Sequence, residues 1–322
     1  MIQQFFVQLT RISIGAMFLF SGFVKLVDPI GSQYKFQEYF GEPVLDLEFL
    51  IPYALPFSVL LIIIELMLGI FLLLGYRSRV TVWGLFGITI LFLFLTWYSA
   101  YYDKVTDCGC FGDALKLSPW ETFNKNVVLL VLIIFLLYHI KKVNLIFPKK
   151  ITKLFSIISV ASFLYITYYV LAHLPIIDFR AYAIGNNIQE GMEYKDDGEI
   201  PPVHDFMLED AQQDLAEEIL ASEKVMLIVV YNLSKSDAES FSSLKKTAAK
   251  AIKKGYQVYG VSASFSDELI LVQNQYDLPF DFLFCDETTL KTMIRANPGV
   301  IILNKGTIID KKNWRDANNI KL

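Results

Sequence analysis

Up to about residue 174 the chain alternates long apolar runs with short polar breaks, and beyond about residue 200 the apolar runs shrink to strand length. Five of the early runs have membrane-spanning length, at about 5–27, 51–74, 80–98, 123–140 and 151–173. A spanning helix needs roughly 20 mainly apolar residues, so each run predicts a transmembrane helix. The first run reads as a retained helix, because residues 1–6 carry no basic group, Arg11 interrupts the apolar stretch and no small-residue cleavage site follows. Ser118-Pro119-Trp120-Glu121 predicts the start of the fourth helix, with serine as N-cap, proline at the first helical position and glutamate at the third. Residues 186–202 are polar, with Asp196-Asp197-Gly198 and Pro201-Pro202, as in a linker. The pattern beyond predicts strands at 225–231, 257–263 and 281–285 and helices at 237–254, 267–276 and 288–295. Two last strands, 299–303 and 307–310, are joined by Asn304-Lys305-Gly306, a hairpin turn. The expected organisation is a five-helix transmembrane bundle over 1–174, a linker over 175–200 and an α/β domain over 201–322.

Composition supports two solvents for one chain. Hydrophobic residues make up 54% and charged residues 19%, against roughly 45–50% and about 25% in soluble domains. Of the 33 acidic residues, 20 lie after Lys195. A net charge of -4 supplies no basic field for phosphate backbones, which excludes nucleic acid as a partner. Three cysteines and three scattered histidines offer neither a disulfide scaffold nor metal-ligand spacing, so no metal site is expected. Arg77 and Arg79 mark the second loop, and Lys141, Lys142, Lys149 and Lys150 the fourth, whereas the first and third loops carry only Lys35, Lys104 and Lys116. Basic loops stay cytoplasmic. The N-terminus is therefore expected on the cytoplasmic side of the membrane, and both the third loop and the C-terminal domain on the outer side.

Some polar residues interrupt the apolar runs. Arg11, Gly15, Phe18, Gly22 and Lys25 share one helix face, and Glu65 and Gly69 share another. Ionised groups at such depth need partners, so Arg11 and Glu65 are expected to pair, either as a proton or substrate site or as an ion pair that sets helix register. The third loop carries Asp107-Cys108-Gly109-Cys110-Phe111-Gly112-Asp113. Cys108 and Cys110 are redox candidates, since a small strained ring makes a disulfide a better oxidant; the alternative is a static disulfide that shapes a glycine-rich turn. Lys125, one turn into the fourth helix, either stabilises a thiolate or snorkels to the interface.

Leu9, Arg11, Gly15, Phe18, Ser21-Gly22, Lys25-Leu26 and Asp28-Pro29 together resemble the first-helix signature of the DoxX family. Cys108-Gly109-Cys110-Phe111-Gly112 followed by Lys125 resembles the MauE branch of that family, which more often has arginine at this last position. The resemblance covers about residues 1–145. It implies an integral-membrane helical bundle, and for MauE a role in methylamine utilisation, where such proteins assist disulfide formation in a periplasmic dehydrogenase. Leu174-Pro175-Ile176-Ile177-Asp178-Phe179-Arg180 before a polar tail is similar to DoxX-like proteins of Bacteroidetes.

The strand and helix order after residue 201 resembles the thioredoxin-like fold, and Asn297-Pro298 stands where that fold carries its cis-proline. The fold's C-x-x-C position reads Tyr231-Asn232-Leu233-Ser234-Lys235-Ser236-Asp237-Ala238, with no thiol. The domain is therefore expected to bind an extended partner beside Asn297 and Pro298 without exchanging disulfides, and Cys285 to be buried and inert. Three functions follow: a redox protein whose Cys108 and Cys110 exchange disulfides while the exported domain recruits periplasmic clients; a non-catalytic, membrane-anchored assembly or binding protein; and, more weakly, a proton or small-molecule carrier using Arg11, Lys25 and Glu65. No cofactor motif is evident, and a quinone stays open as electron acceptor. The lipid bilayer is the one certain partner; the sequence assigns no oligomeric state.

Overall fold

The computed structural model describes residues 2–105, 109–194, 200–204 and 206–322. The chain divides into two compact units, Met1–Val170 and Leu171–Leu322.

The first unit contains helices α1 (Ile2–Val27), α2 (Pro29–Phe40), α3 (Ala54–Leu74), α4 (Ser78–Tyr102), α5 (Pro119–Tyr138) and α6 (Lys149–Ala172), the last of which runs across the division. Among the described residues five helical segments are long and apolar enough to cross a membrane: α1, Glu48–Leu74, which contains α3, then α4, α5 and α6. The capping box at Ser118 and Glu121 is present, with Pro119 in the first turn of α5. The short α2 breaks the expectation of a plain first loop. Asp28 caps it by accepting from the Gly31 N–H at 3.0 Å, and Pro29 starts it, an N-cap and N1 signature placed directly after a transmembrane helix.

Packing inside this unit is the reverse of a soluble core. Phe5, Phe20, Leu60, Trp83, Leu91, Phe94 and Val131 point outward. Polar Ser58, Thr96, Ser99, Thr122 and Asn126 are buried, and each of the four hydroxyls bonds a carbonyl one turn earlier in its own helix. In lipid a polar group finds partners only in the protein. Val7, Ile14, Phe18, Leu72, Val82, Leu85, Leu129, Ile133 and Leu136 bring α1, α3, α4 and α5 to one apolar core. Glycines bring α1 and α3 together: a Cβ on Gly15 would sit 2.5 Å from Leu73 Cγ, and one on Gly22 would sit 2.7 Å from Leu66 Cγ.

The second unit is an α/β domain. After the short helices α7 (Ile188–Met192) and α8 (Ala216–Ala221) come β1 (Val225–Val230), α9 (Ala238–Lys253), β2 (Gln257–Ser262), α10 (Ser266–Tyr276), β3 (Phe282–Phe284), α11 (Glu287–Met293), β4 (Gly299–Asn304) and β5 (Thr307–Asn313). The sheet order is β3-β2-β1-β4-β5, with β1, β2 and β3 parallel and β4 and β5 antiparallel to their neighbours. All six residues of β1 are buried, which explains its unbroken apolar run: Val225, Leu227 and Val229 face one core, Met226, Ile228 and Val230 the other. The predicted turn has positive φ at Lys305 and Gly306 (47° and 73°), the backbone of a tight hairpin.

Much of the stretch expected as a linker belongs to this domain instead. The Gly185 N–H donates to Ile308 O, the Ile308 N–H to Asn186 O and the Ile188 N–H to Gly306 O, so 185–188 runs along β5. Ile188 is buried in the core, and its spacing from neighbouring polar residues gave no periodic signal. Asp178 is clamped by Arg180 through two hydrogen bonds (2.7 and 2.8 Å) and by Lys311 of β5 at 2.6 Å. Burial would raise the Asp178 carboxyl, but Arg180 and Lys311 outweigh it and hold the group at about 2. Residues 195–199 of the expected linker lie outside the described residues.

Candidate functional site

Gly109 and Gly112 both have positive φ (63° and 49°), and the Gly112 N–H closes the turn between them on Gly109 O at 3.2 Å. The turn presses onto α1. Phe111 is buried, with its ring centroid 5.4 Å from that of Phe20 and the Lys125 ammonium 4.3 Å above its face. Cys110, half-buried, gives its main-chain carbonyl to the Ser21 hydroxyl at 2.9 Å. Cys108 and Asp107 lie outside the described residues.

Beneath this turn lies a buried ion pair. Lys25 Nζ donates to Glu65 Oε1 and Oε2 at 3.0 and 2.9 Å and to Ser21 Oγ at 2.8 Å, and sits 5.6 Å from the centroid of the Phe92 ring. Lys25 is 6% exposed and Glu65 0%, so neither charge is solvated by water. Charges taken out of water need close geometry and further hydrogen bonds, which Ser21 supplies.

The expected Arg11–Glu65 pair is not formed. Arg11 instead donates to the main-chain carbonyls of Leu72 (2.7 Å), Leu73 (2.5 Å) and Asn144 (3.2 Å), and to Gln8. The reason is helix register. Gly15 meets Leu73, Gly22 meets Leu66 and Leu19 meets Gly69; each pair of numbers adds to 88, which sets Glu65 level with residue 23. Arg11 lies where α3 ends, and its guanidinium bonds carbonyls of the helix's last turn, Leu73 O and Leu72 O, the latter of which also accepts from the Gly75 N–H. Lys25 is thus the cation within reach of Glu65.

Two cavities border Cys110. One, about 60 Å³, is lined by Cys110 and Gly109 with Lys25, Lys35, Phe92 and Thr96. The other, about 20 Å³, is lined by Cys110 with Ser21, Glu65, Thr89, Lys125 and Asn126. The fold therefore brings Cys110, Lys125 and Glu65 to one place from three separate segments and leaves Arg11 elsewhere. Ser21, Lys25, Thr89 and Asn126 complete the group. Lys25 was legible as a membrane cation but not as the partner of Glu65; Asn126 carried a signal as an amide within an apolar run, and Thr89 carried none.

In the second unit the Asn297–Pro298 bond is cis, as its place in the sequence predicts. Asn297 is spent internally: its Oδ1 accepts from the Asn232 N–H at 3.2 Å, and its Nδ2 donates to Asn232 O at 2.6 Å. Pro298 is buried and its carbonyl accepts from the Trp314 N–H. These contacts pin the loop that follows β1 rather than present a free strand edge; the sheet's own outer strands also carry neighbours, with Glu209 bridging Phe284 and Asn187 bridging Thr307. Cys285 is 1% exposed, and burial, reinforced by Asp286, pushes its thiol up to about 12.

Residues 3–139 match the family model described as Methylamine utilisation protein MauE. The matched segment runs from α1 to the end of α5 and contains every residue of the Cys110 site. Neither the curated proteins nor the solved structures yield a match to the chain.

Proposed function

We propose that this MauE-like membrane protein exchanges disulfides at the outer face of a bacterial inner membrane through Cys108 and Cys110, and that its second unit is a thioredoxin-like, non-catalytic domain that recruits periplasmic clients. The observation that carries the reading is the seating of Cys110 on the buried Lys25–Glu65–Ser21 network. Ionisable groups inside a membrane mark functional sites. The basic residues of the second and fourth loops support the outward orientation. For the second unit, support comes from the β3-β2-β1-β4-β5 order, the cis Asn297–Pro298 bond and the absence of a thiol between Tyr231 and Ala238.

In the proposed exchange a client thiolate attacks the Cys108–Cys110 disulfide and forms a mixed disulfide. The client's second thiolate then displaces the protein sulfur, leaving the client oxidised and both cysteines reduced. Two electrons and two protons pass on to a bilayer quinone, which becomes the quinol and restores the disulfide. Lys25 and Lys125 place cations on the walls of the two cavities that Cys110 borders.

In the Cys110→Ala protein the Cys108 thiolate can run the exchange backwards, attacking a client's disulfide and releasing one client thiol; with no Cys110 thiol to displace it, the mixed disulfide between Cys108 and the client should persist in protein isolated from cells and run without reductant. The adduct identifies the client and shows whether it is a methylamine-oxidising enzyme. Full complementation by the Cys108→Ala/Cys110→Ala protein, with no adduct from the single variant, would overturn the redox reading. It would leave a membrane-anchored binding protein, the alternative that the missing C-x-x-C favours.

A further inference from the structure

We infer that Glu65 is the proton acceptor of the Cys110 thiol, reached through an ordered water held between Thr89, Glu65 and Cys110 in the smaller cavity. The inference rests on Cys110 acting as a thiol in exchange.

Three observations carry it. Thr89 is 1% exposed, and its hydroxyl has no hydrogen-bond partner among the described residues, whereas Ser58, Thr96, Ser99 and Thr122 of the same bundle all bond their own helices. A buried hydroxyl left without a partner points to one that completes it. The cavity that Thr89 lines measures about 20 Å³ and shares its walls with Ser21, Glu65, Cys110 and Asn126. A water needs roughly 10–15 Å³ and two to four polar partners, and this space offers both. Finally, Lys25 and Glu65 form a pair that neither the turn's shape nor the packing of α1 on α3 requires, since Gly15 and Gly22 already set that contact.

In the step itself the Sγ–H bond of Cys110 breaks and the electron pair stays on sulfur. The proton passes through the water to a Glu65 oxygen, giving a neutral carboxylic acid. Lys25 stays an ammonium, released from one partner and facing the new anion across the larger cavity. The count of charges is unchanged, so a thiolate forms in a low-dielectric place without a net charge being moved in. Among the described residues the titratable groups around Cys110 are Lys25 on α1, Lys35 with its partner Glu38 and Tyr39 on α2, Glu65 on α3, Lys125 on α5 and Asp113 in the turn; α4 contributes the uncharged Thr89, Phe92 and Thr96.

Such an internal transfer has a kinetic signature. A lone thiol is alkylated tenfold more slowly for each pH unit below its titration, whereas a thiol paired with an internal acceptor keeps a pH-independent rate between the two titrations. The full chain carrying Cys108→Ala and Cys285→Ala, in detergent, reports Cys110 alone when treated with iodoacetamide and read by mass spectrometry from pH 5 to 10. A plateau is expected. Glu65→Gln should replace it with a single titration, Thr89→Val should lower its height severalfold because the water loses its anchor, and Thr89→Ser should restore it. A single titration in the parent, no modification at any pH, or a plateau unchanged by Thr89→Val and Glu65→Gln would each overturn the inference. Should Glu65→Gln fail to fold, the parent profile and Thr89→Val still decide. The Cys110→Ala adduct is independent of this profile: an adduct with a plain titration sinks the relay alone, and a plateau without an adduct sinks the exchange alone.

Discussion

Glu65 was legible in the sequence as a charge that must have a partner, and the partner is Lys25. Removing one member of a buried pair strands the other, at a cost of about 3–5 kcal/mol, while an apolar replacement of both is often tolerated. Lys25→Met alone should therefore lower the unfolding temperature of the detergent-solubilised protein sharply, and Lys25→Met with Glu65→Leu should recover most of the loss. Arg11→Met combined with a Glu65 change should give no such rescue, because Arg11 binds the carbonyls of Leu72 and Leu73. The same scale holds the lesson about Asn297. Its position before a proline was readable, but its side chain is committed to Asn232, a contact 65 residues away that no local pattern reveals.

At the scale of elements, the transmembrane helices and the strands of the second unit follow from periodicity and from the length of their apolar runs, and the α5 capping box was written out in Ser118 and Glu121. What periodicity does not convey is how far one helix slides along another. That offset depends on where two glycines admit a neighbour's side chain, and a difference of about seven residues, roughly 10 Å along the helix, separates Glu65 from the carbonyl cap where Arg11 sits. Gly22 controls this contact. Gly22→Ile should push α1 off Leu66, separate Lys25 from Glu65 and abolish accumulation of the folded protein, as read by size-exclusion of the solubilised chain. Gly87→Ala is the control, since nothing lies within 4 Å of the added carbon, and it should accumulate normally.

For the molecule as a whole, the second unit carries an acid response of its own. Asp178 ties the segment ahead of the sheet to β5, and its carboxyl is held at about 2 against an ordinary 3.8. A depressed carboxyl contributes stability that is complete above the unfolded value and is lost as pH falls through the folded one, so the window runs from about pH 4 down to about pH 2. The shift corresponds to about 2 kcal/mol. Hydrogen exchange of β1 amides, corrected for intrinsic rates, should show the second unit loosening across that window. Asp178→Asn should remove the acid sensitivity while lowering stability at neutral pH, because Arg180 and Lys311 lose their counter-charge. An Asp178→Asn protein with an unchanged acid transition would show that the clamp is not what holds this segment. The sequence by itself determined that a membrane bundle precedes an α/β domain, because hydrophobic run length and period are local and additive along the chain. Only the tertiary structure decided that Lys25 rather than Arg11 meets Glu65, that this pair lies under Cys110, and that residues 185–188 bond along β5. Those contacts join segments tens of residues apart, and they depend on helix register and edge pairing, which no single stretch of sequence encodes.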